Sequence, residues 1–502
     1  MSQLSTNLLL DAITRHAGNQ PDHQALIGLD CTVSYSELAP AIMTLQNKLA
    51  TFLNQSTIAV AIDNHPAWLI VDLAATANKN PLVPLPAFFS NAQTQHAVLD
   101  AGATVLITDN PSHFKALFAE VISAESAQVV ADKTLTLLTL VIPNKALPLN
   151  TAKITYTSGT TGNPKGVCLS MDAMLNVANS IRLATNLQAN HQHLCVLPLA
   201  TLLENVAGVY AALLAGASIH LWPSHQVGLA GSTLNIKQLH AALTTTHANT
   251  AIFIPEMLQA LVQACETGAA KLPHLNFLAV GGASVSPQLL QRAAKLGLPV
   301  FEGYGLSESA SVVSLNTPQA CKIGSAGKPL PHIQIEITAQ HEIFVKGSNL
   351  LGYTGEQALI LPDEFIDTGD IGYLDEDGFL FINGRKKNVF ITSFGRNVSP
   401  EWVERELKMS PYIAQVALFG EARPWNVAII VLRQAVSATQ LEETLQTINA
   451  NLPDYARIKR WIIADAPFSV ENQQLTSNGR NRRDHIWQHY QHQINALYEG
   501  NH

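Results

Sequence analysis

Charge is scarce in this chain. Only 14% of its 502 residues are Asp, Glu, Lys or Arg, and their balance is −8. A surface that binds nucleic acid non-specifically needs an excess of the opposite sign, so that class is excluded. Cysteine is thin as well, with five residues at 31, 168, 195, 265 and 321 that show neither pairing nor metal-ligand spacing. This excludes a disulfide scaffold and fits free thiols in a reducing, cytoplasmic setting. No apolar run reaches the ~18–20 residues of a bilayer span, so no integral membrane segment is expected. Residues 1–11 lack the basic start and long apolar core of a secretory signal. Repeats and low-complexity tracts are missing, which excludes solenoid and fibrous architectures. The eighteen histidines are read as surface or core residues, with no protein-held metal assigned to them.

Apolar residues, by contrast, make up 47% of the chain. A chain this long and this apolar exceeds one core, and about two or three domains are expected. Short apolar runs at 58–62, 81–85, 104–108, 193–197, 217–221, 250–254 and 275–280 alternate with helical patterns at 66–76, 171–183 and 204–214. That alternation predicts an α/β fold of mostly parallel, helix-covered sheets, with ligands beyond the carboxyl ends of the strands. Near residue 320 the period changes. Residues 333–338 and 342–346 alternate apolar and polar side chains, which predicts a small β-rich subdomain over about 320–384. From 386 the chain turns basic and then reads helix, strand, strand, helix, strand, a smaller α+β domain over 386–502 beside an N-terminal one over 1–385.

The densest chemistry lies in Tyr156-Thr-Ser-Gly-Thr-Thr-Gly-Asn-Pro-Lys-Gly166. Gly159, Gly162 and Gly166 let backbone N–H groups approach an anion. Thr157, Ser158, Thr160 and Thr161 add hydroxyls, and Lys165 adds a positive charge. These are the groups a polyphosphate requires. The segment is not a Walker A loop, because Pro164 precedes the lysine where that pattern needs glycine.

The segment resembles the signature loop of the acyl-adenylating superfamily, which includes acyl-CoA synthetases, luciferases and the adenylation domains of peptide synthetases. Further segments match that superfamily in order, and the resemblance implies their roles. Gly281-Gly282-Ala283-Ser284 borders the adenine and acyl pocket. Within Glu302-Gly303-Tyr304-Gly305-Leu306-Ser307-Glu308, Tyr304 stacks on adenine, Ser307 meets phosphate and Glu308 holds Mg²⁺. Asp370 takes the ribose hydroxyls with Arg385, and Lys387 is the hinge of a mobile C-terminal domain. Residues 392–404 form the loop that enters for the second half-reaction. Three departures stand out. Arg480 occupies the place of the lysine that contacts the substrate carboxylate, Asn388 stands where an aspartate commonly follows the hinge, and Thr201 replaces a gating histidine or aromatic.

The resemblance implies ATP, Mg²⁺ and CoA as reactants. It also implies a ligase that converts a fatty acid to acyl-AMP and then to acyl-CoA, with Lys165, Ser307, Glu308 and Arg480 as the catalytic set. A fatty acyl chain is expected because residues 199–201 lack the aspartate that holds an α-amino group, and because 206–215 and 281–284 are apolar or small. Two alternatives stay open: transfer to an acyl-carrier protein or another acceptor, and a non-catalytic member that binds nucleotide or acyl chain.

Overall fold

The structure is a computed structural model, and it describes residues 8–51, 56–143, 145–157, 164–230, 233–356, 360–361, 363–476 and 479–499. Two large sheets dominate it. In the first, six parallel strands run side by side in the order Val300–Tyr304, Phe277–Val280, Thr250–Phe253, Gln192–Leu194, Ser218–His220 and Gln24–Ile27. Antiparallel strands close its two edges. In the second, Thr151–Thr157, Leu82–Pro84, Thr57–Ala61 and Ala103–Thr108 are parallel. An antiparallel hairpin, Ile122–Val130 with Lys133–Leu140, extends one side, and Lys165–Ser170 and Gly352–Tyr353 extend the other. One apolar cluster draws on both sheets.

The expected β-rich part is a four-stranded antiparallel sheet of Gln334–Ile337, Glu342–Lys346, Ile366–Leu374 and Leu380–Arg385. Beyond it, Ile413–Phe419, Asn426–Leu432 and Ile458–Ile463 form a small sheet with the helices Pro400–Lys408 and Ala438–Ala450, the order read from the sequence. The closing helix Arg483–Glu499 and the hairpin at 122–140 were not anticipated. Ile486, Tyr490 and Ile494 recur every fourth residue and form the buried face of the helix, and Leu135, Leu137, Leu138 and Leu140 are the buried part of the hairpin's second strand.

The helix Pro66–Ala77 is buried at every position from Pro66 to Thr76, as its all-round apolar sequence demands. One charge lies inside it. Asp72 accepts hydrogen bonds from Lys153 Nζ (3.1 Å), Asn205 Nδ2 (3.1 Å) and Tyr210 Oη (2.8 Å). Lys153 also bonds Asn205 Oδ1 and Tyr210 Oη, and it lies over the Trp68 and Tyr210 rings. Two ions removed from water are tolerable only when most of their remaining lone pairs and protons are used. Here the ammonium bonds three oxygens and Asp72 Oδ2 accepts three donors, while Oδ1 lies 3.0 Å from Lys153 Nζ and accepts no hydrogen bond among the described residues.

Asn205 and Tyr210 come from Leu203–Tyr210, which is wound as a π-helix before the α-helical turn Ala211–Ala215. Glu204 on the same segment binds His193 Nε2 (2.8 Å) and the Leu197 amide (2.9 Å). A Cβ on Gly208 would lie 2.5 Å from that carboxylate, so only glycine lets the helix sit on the pair. This corrects the expectation for 206–215. Those apolar side chains are spent on the core between helix and sheet, with Val206, Val209 and Tyr210 wholly buried, and they do not line an open acyl channel.

Removing the lysine should strand a buried carboxylate. Lys153→Ala is expected to cost about 3–5 kcal/mol, read as a lowered denaturant midpoint against wild type, and Lys153→Arg should not restore it because a planar guanidinium does not reproduce the ammonium's three bonds to Asp72, Asn205 and Tyr210.

Candidate active site

The strand Val300–Tyr304 delivers Tyr304 at its carboxyl end, and Asp370 approaches from the antiparallel sheet. The Tyr304 hydroxyl donates to Asp370 Oδ2 at 2.5 Å, and Arg385 Nε forms an ion pair with Oδ1 at 2.8 Å. Arg385 is placed by pairing, since Asp370 and Arg385 face each other across Ile366–Leu374 and Leu380–Arg385. It also donates to the Thr368 carbonyl at 3.0 Å. Asp370 is buried, and burial raises its carboxyl above the usual range while Arg385 and Tyr304 pull it back. Gly305 lies against the Ser311 carbonyl, where a Cβ would stand 1.6 Å from the oxygen. The turn that follows holds Ala310 (φ +54°) and Ser311 (φ +109°) in the left-handed region, conformations that non-glycine residues keep only when their surroundings impose them.

Arg480 reaches this place from the C-terminal part of the chain and donates to the Gly282 carbonyl at 3.1 Å. Its surface remains open to solvent, which screens its charge, although protein crowds it within the crevice. That crowding, then the charge of Arg385, lowers its guanidinium below the usual range, against Asp370, Glu308 and Glu401. Lys387 is lowered too, by burial and then by Arg385 and Arg480. Cations crowded to the point of mutual repulsion around one buried carboxylate make a receptor for anions. Gly282, Ala283 and Ser284 are exposed at its rim, and a Cβ on Gly282 (φ +83°) would meet only Ile254 Cγ2, at 3.8 Å.

Across the crevice, Lys165 opens the strand Lys165–Ser170, with its Nζ 3.1 Å from Glu356 Oε1 and 5.0 Å from the centre of the Tyr353 ring. The Tyr353 hydroxyl donates to Glu308 Oε1 at 3.4 Å. At that length the bond leaves the half-buried Glu308 carboxylate acceptor capacity, and an oxygen donor of this kind suits a hard cation such as Mg²⁺. Ser307 and Glu308 lie in the short turn Ser307–Ser309 directly after Tyr304. Ser158, Gly159, Thr160, Thr161 and Gly162 lie outside the described residues, as does the side chain of Thr157.

Glu302, expected among the nucleotide ligands, is nine-tenths buried and accepts the Val285 amide at 3.3 Å. It borders a cavity of about 90 Å³ with Leu290, Asn316, Cys321 and Ile323. Among the described residues its second oxygen has no partner, and burial raises the carboxyl to about 7. Another cluster, Asp30, Cys31 and His65, has the atom types of a metal site. His65 Nδ1 accepts the Ala67 amide at 3.1 Å as the cap of Pro66–Ala77, so Nε2 carries the proton and meets Asp30 at 3.1 Å. A protonated ring nitrogen has no lone pair for a metal, and the cluster is a helix cap.

A model of the AMP-binding enzyme family matches residues 13–353, and one of the AMP-binding enzyme C-terminal domain matches residues 387–502. The chain belongs to the AMP-binding enzyme family. An indoleacetate–CoA ligase from Aromatoleum aromaticum is 27% identical over 96% of this chain and 98% of its own length. A long-chain-fatty-acid–CoA ligase from Mycobacterium bovis is also 27% identical, over 78% of this chain and 75% of its own. Among solved structures, o-succinylbenzoate CoA synthetase from Bacillus subtilis, in complex with its acyl-adenylate intermediate, superposes with a TM-score of 0.77 at 23% identity, covering 95% of this chain and 97% of that one. That likeness establishes the fold, α/β with a large domain of parallel sheets and a smaller C-terminal one.

In this AMP-binding enzyme the sequence motifs of 281–284, 302–308, 367–370 and 384–387 converge on one crevice with Arg480. Sequence reasoning missed Tyr353, Thr354 and Glu356. The signal, Gly352-Tyr353-Thr354-Gly355, is a short glycine–hydroxyl run that reads as an ordinary turn, and only the pairing of Gly352–Tyr353 with Lys165–Ser170 brings it in.

Glu302 also sets a pH dependence. Its folded value of about 7 lies above the ordinary 4.5, so the native state keeps a proton there that the unfolded chain loses. This contribution is complete below pH 4.5 and is lost as the pH rises through 7, a change of at most about 3 kcal/mol. Chemical denaturation between pH 5 and 8 should show stability falling over that window, with a flatter profile for Glu302→Gln.

Proposed function

We propose that this AMP-binding enzyme activates a hydrophobic carboxylic acid with ATP and passes the acyl group to the thiol of CoA. The observation that carries this reading is the ion pair of Arg385 with buried Asp370, beside Tyr304 and beside the exposed rim at 282–284, where Arg480 binds the Gly282 carbonyl. Charge of both signs, an aromatic ring and a groove rim in one place suit a nucleotide whose phosphate meets a second anion. The motif resemblance and the family membership support the same assignment.

In this reading Tyr304 and the 281–284 rim hold adenine, and Asp370 with Arg385 holds the ribose. Lys165 and the glycine–hydroxyl loop from Thr157 to Gly162 grip the triphosphate. Glu308 holds Mg²⁺, which when bound neutralises phosphate charge and polarises the phosphoryl oxygens. The substrate carboxylate oxygen bonds to the α-phosphorus while the bond to pyrophosphate breaks. Arg480 neutralises the incoming carboxylate and so allows two anions to meet. The CoA sulfur then attacks the acyl carbonyl, AMP departs with the bonding pair, and the thiol proton passes to solvent. The chain divides at 385/386, and the second part rotates about Lys387 between the two half-reactions.

Two acid classes compete. Residues 199–201 carry no acid to answer an α-ammonium charge, and Leu199 and Ala200 are buried, which disfavours an amino acid and leaves fatty and aryl acids. An aryl acid is favoured by the tight packing of 206–215, which leaves that face no long channel. ATP–pyrophosphate exchange across fatty acids of graded length, indoleacetate, 2-succinylbenzoate and free amino acids decides between them. Background exchange with the whole panel would overturn the function. Supplying CoA or acyl-carrier protein separately identifies the acceptor by the thioester formed.

Lys165→Ala and Arg480→Ala should each lower the exchange rate by about 10²-fold, the usual loss of one charged group at a developing anion. Arg480→Ala should slow adenylation more than thioester formation from supplied acyl-AMP. Equal losses in both half-reactions would show that Arg480 does not act on the incoming carboxylate.

A further inference from the structure

Residues 349–354 run between the two halves of the crevice and are bonded to both. On one side the Leu350 amide donates to the Glu308 carbonyl at 2.7 Å. On the other, the amides of Leu351 and Thr354 donate to the carbonyls of Cys168 (2.8 Å) and Gly166 (2.9 Å) on the lysine-bearing strand. The Thr354 hydroxyl is tied to Asp100, which also accepts the Tyr156 hydroxyl at 2.8 Å. A Cβ on Gly166 would come within 2.7 Å of the Thr354 side chain, so glycine there is what allows the two segments to close. Tyr353 thus stands on a backbone fixed from both sides.

We propose that Tyr353 is a positioning residue that holds Lys165 and Glu308 in a set relation, its ring beneath the ammonium and its hydroxyl on the carboxylate. The proposal rests on the adenylation reading, in which Lys165 meets the triphosphate and Glu308 the metal. Lys165 is 54% exposed, and a lysine so placed would wander over many rotamers without a surface to lie on. The Tyr353 ring provides that surface at 5.0 Å. Glu308 needs a donor to orient its oxygens, as carboxylates that bind cations commonly do, and the same tyrosine supplies it. Glu356 completes the arrangement. Its pair with Lys165 joins two half-exposed groups and is therefore weak, so its carboxylate keeps the place of a phosphate oxygen and yields when the triphosphate arrives.

The two functions of one side chain can be separated. Tyr353→Phe keeps the ring and the packing but removes the hydroxyl, and Tyr353→Leu removes both. Calorimetric titration of ATP with and without Mg²⁺ is measured beside ATP–pyrophosphate exchange over a Mg²⁺ series. Tyr353→Phe should leave metal-free ATP affinity within about twofold while raising the Mg²⁺ concentration for half-maximal exchange several-fold. Tyr353→Leu should in addition weaken metal-free ATP binding by roughly three- to fivefold, the worth of an exposed cation–π contact. An unchanged Mg²⁺ requirement in Tyr353→Phe, with wild type exchanging normally, overturns this proposal alone. So does a pair of variants that lose only thermal stability, with both titrations unmoved. Absence of ATP binding and of exchange in the wild-type protein overturns the adenylation reading and this proposal with it.

Discussion

A buried carboxylate needs its charge answered, and Asp370 is answered from two directions at once. Tyr304 reaches it from the nine-stranded sheet, and Arg385 reaches it from the next strand of its own antiparallel sheet. Because the group is almost out of water, neither partner can be withdrawn cheaply, and the two sheets are held in one relation at the site. The other features of the crevice follow from that join. Arg385 is the last residue of its strand, so the chain leaves for the C-terminal part beside the carboxylate it neutralises. Arg480 returns to the same field from nearly a hundred residues later.

The interior uses a second set of polar groups for a different purpose. Asp72, Lys153, Asn205 and Tyr210 join the central helix, the strand that leads toward the phosphate-loop candidate and the π-helical segment. The wide turn of Leu203–Tyr210 aims Glu204 at His193 and Asn205 at the lysine, an irregularity offset by bonds to both Glu204 oxygens and by three donors on Asp72 Oδ2. A purely apolar segment there would have wound as an ordinary helix and left the strand and the segment unlinked.

Much of the architecture could be read from the chain alone. The apolar runs at 58–62, 104–108, 250–254 and 275–280 became parallel strands because a strand buried on both faces must be apolar throughout. The alternating residues at 333–346 became antiparallel strands with one wetter face. Motifs within 281–308 end or follow strands of the parallel sheet, and Asp370 and Arg385 are brought to them by ladder pairing of Ile366–Leu374 with Leu380–Arg385. The hairpin at 122–140 stayed hidden because its first strand is a mostly exposed edge strand, and Gly352–Tyr353 because two residues show no period. The apolar run at 206–215 misled, because apolar composition suits a core and a lipid channel equally well, and only packing separates them.

By itself, then, the sequence settled which chemical groups were on hand and that they belong to an α/β protein, since residue type and periodicity are local properties. It also displayed the arginine at 480 that departs from the family pattern. What only the folded chain decided was partnership: that Asp72 would meet Lys153, that Glu302 would face a cavity, and that Tyr353 would stand between Lys165 and Glu308. Those contacts join residues far apart along the chain or depend on how a strand is turned. Their energies come from burial and geometry, which no stretch of sequence carries until the sheets have closed.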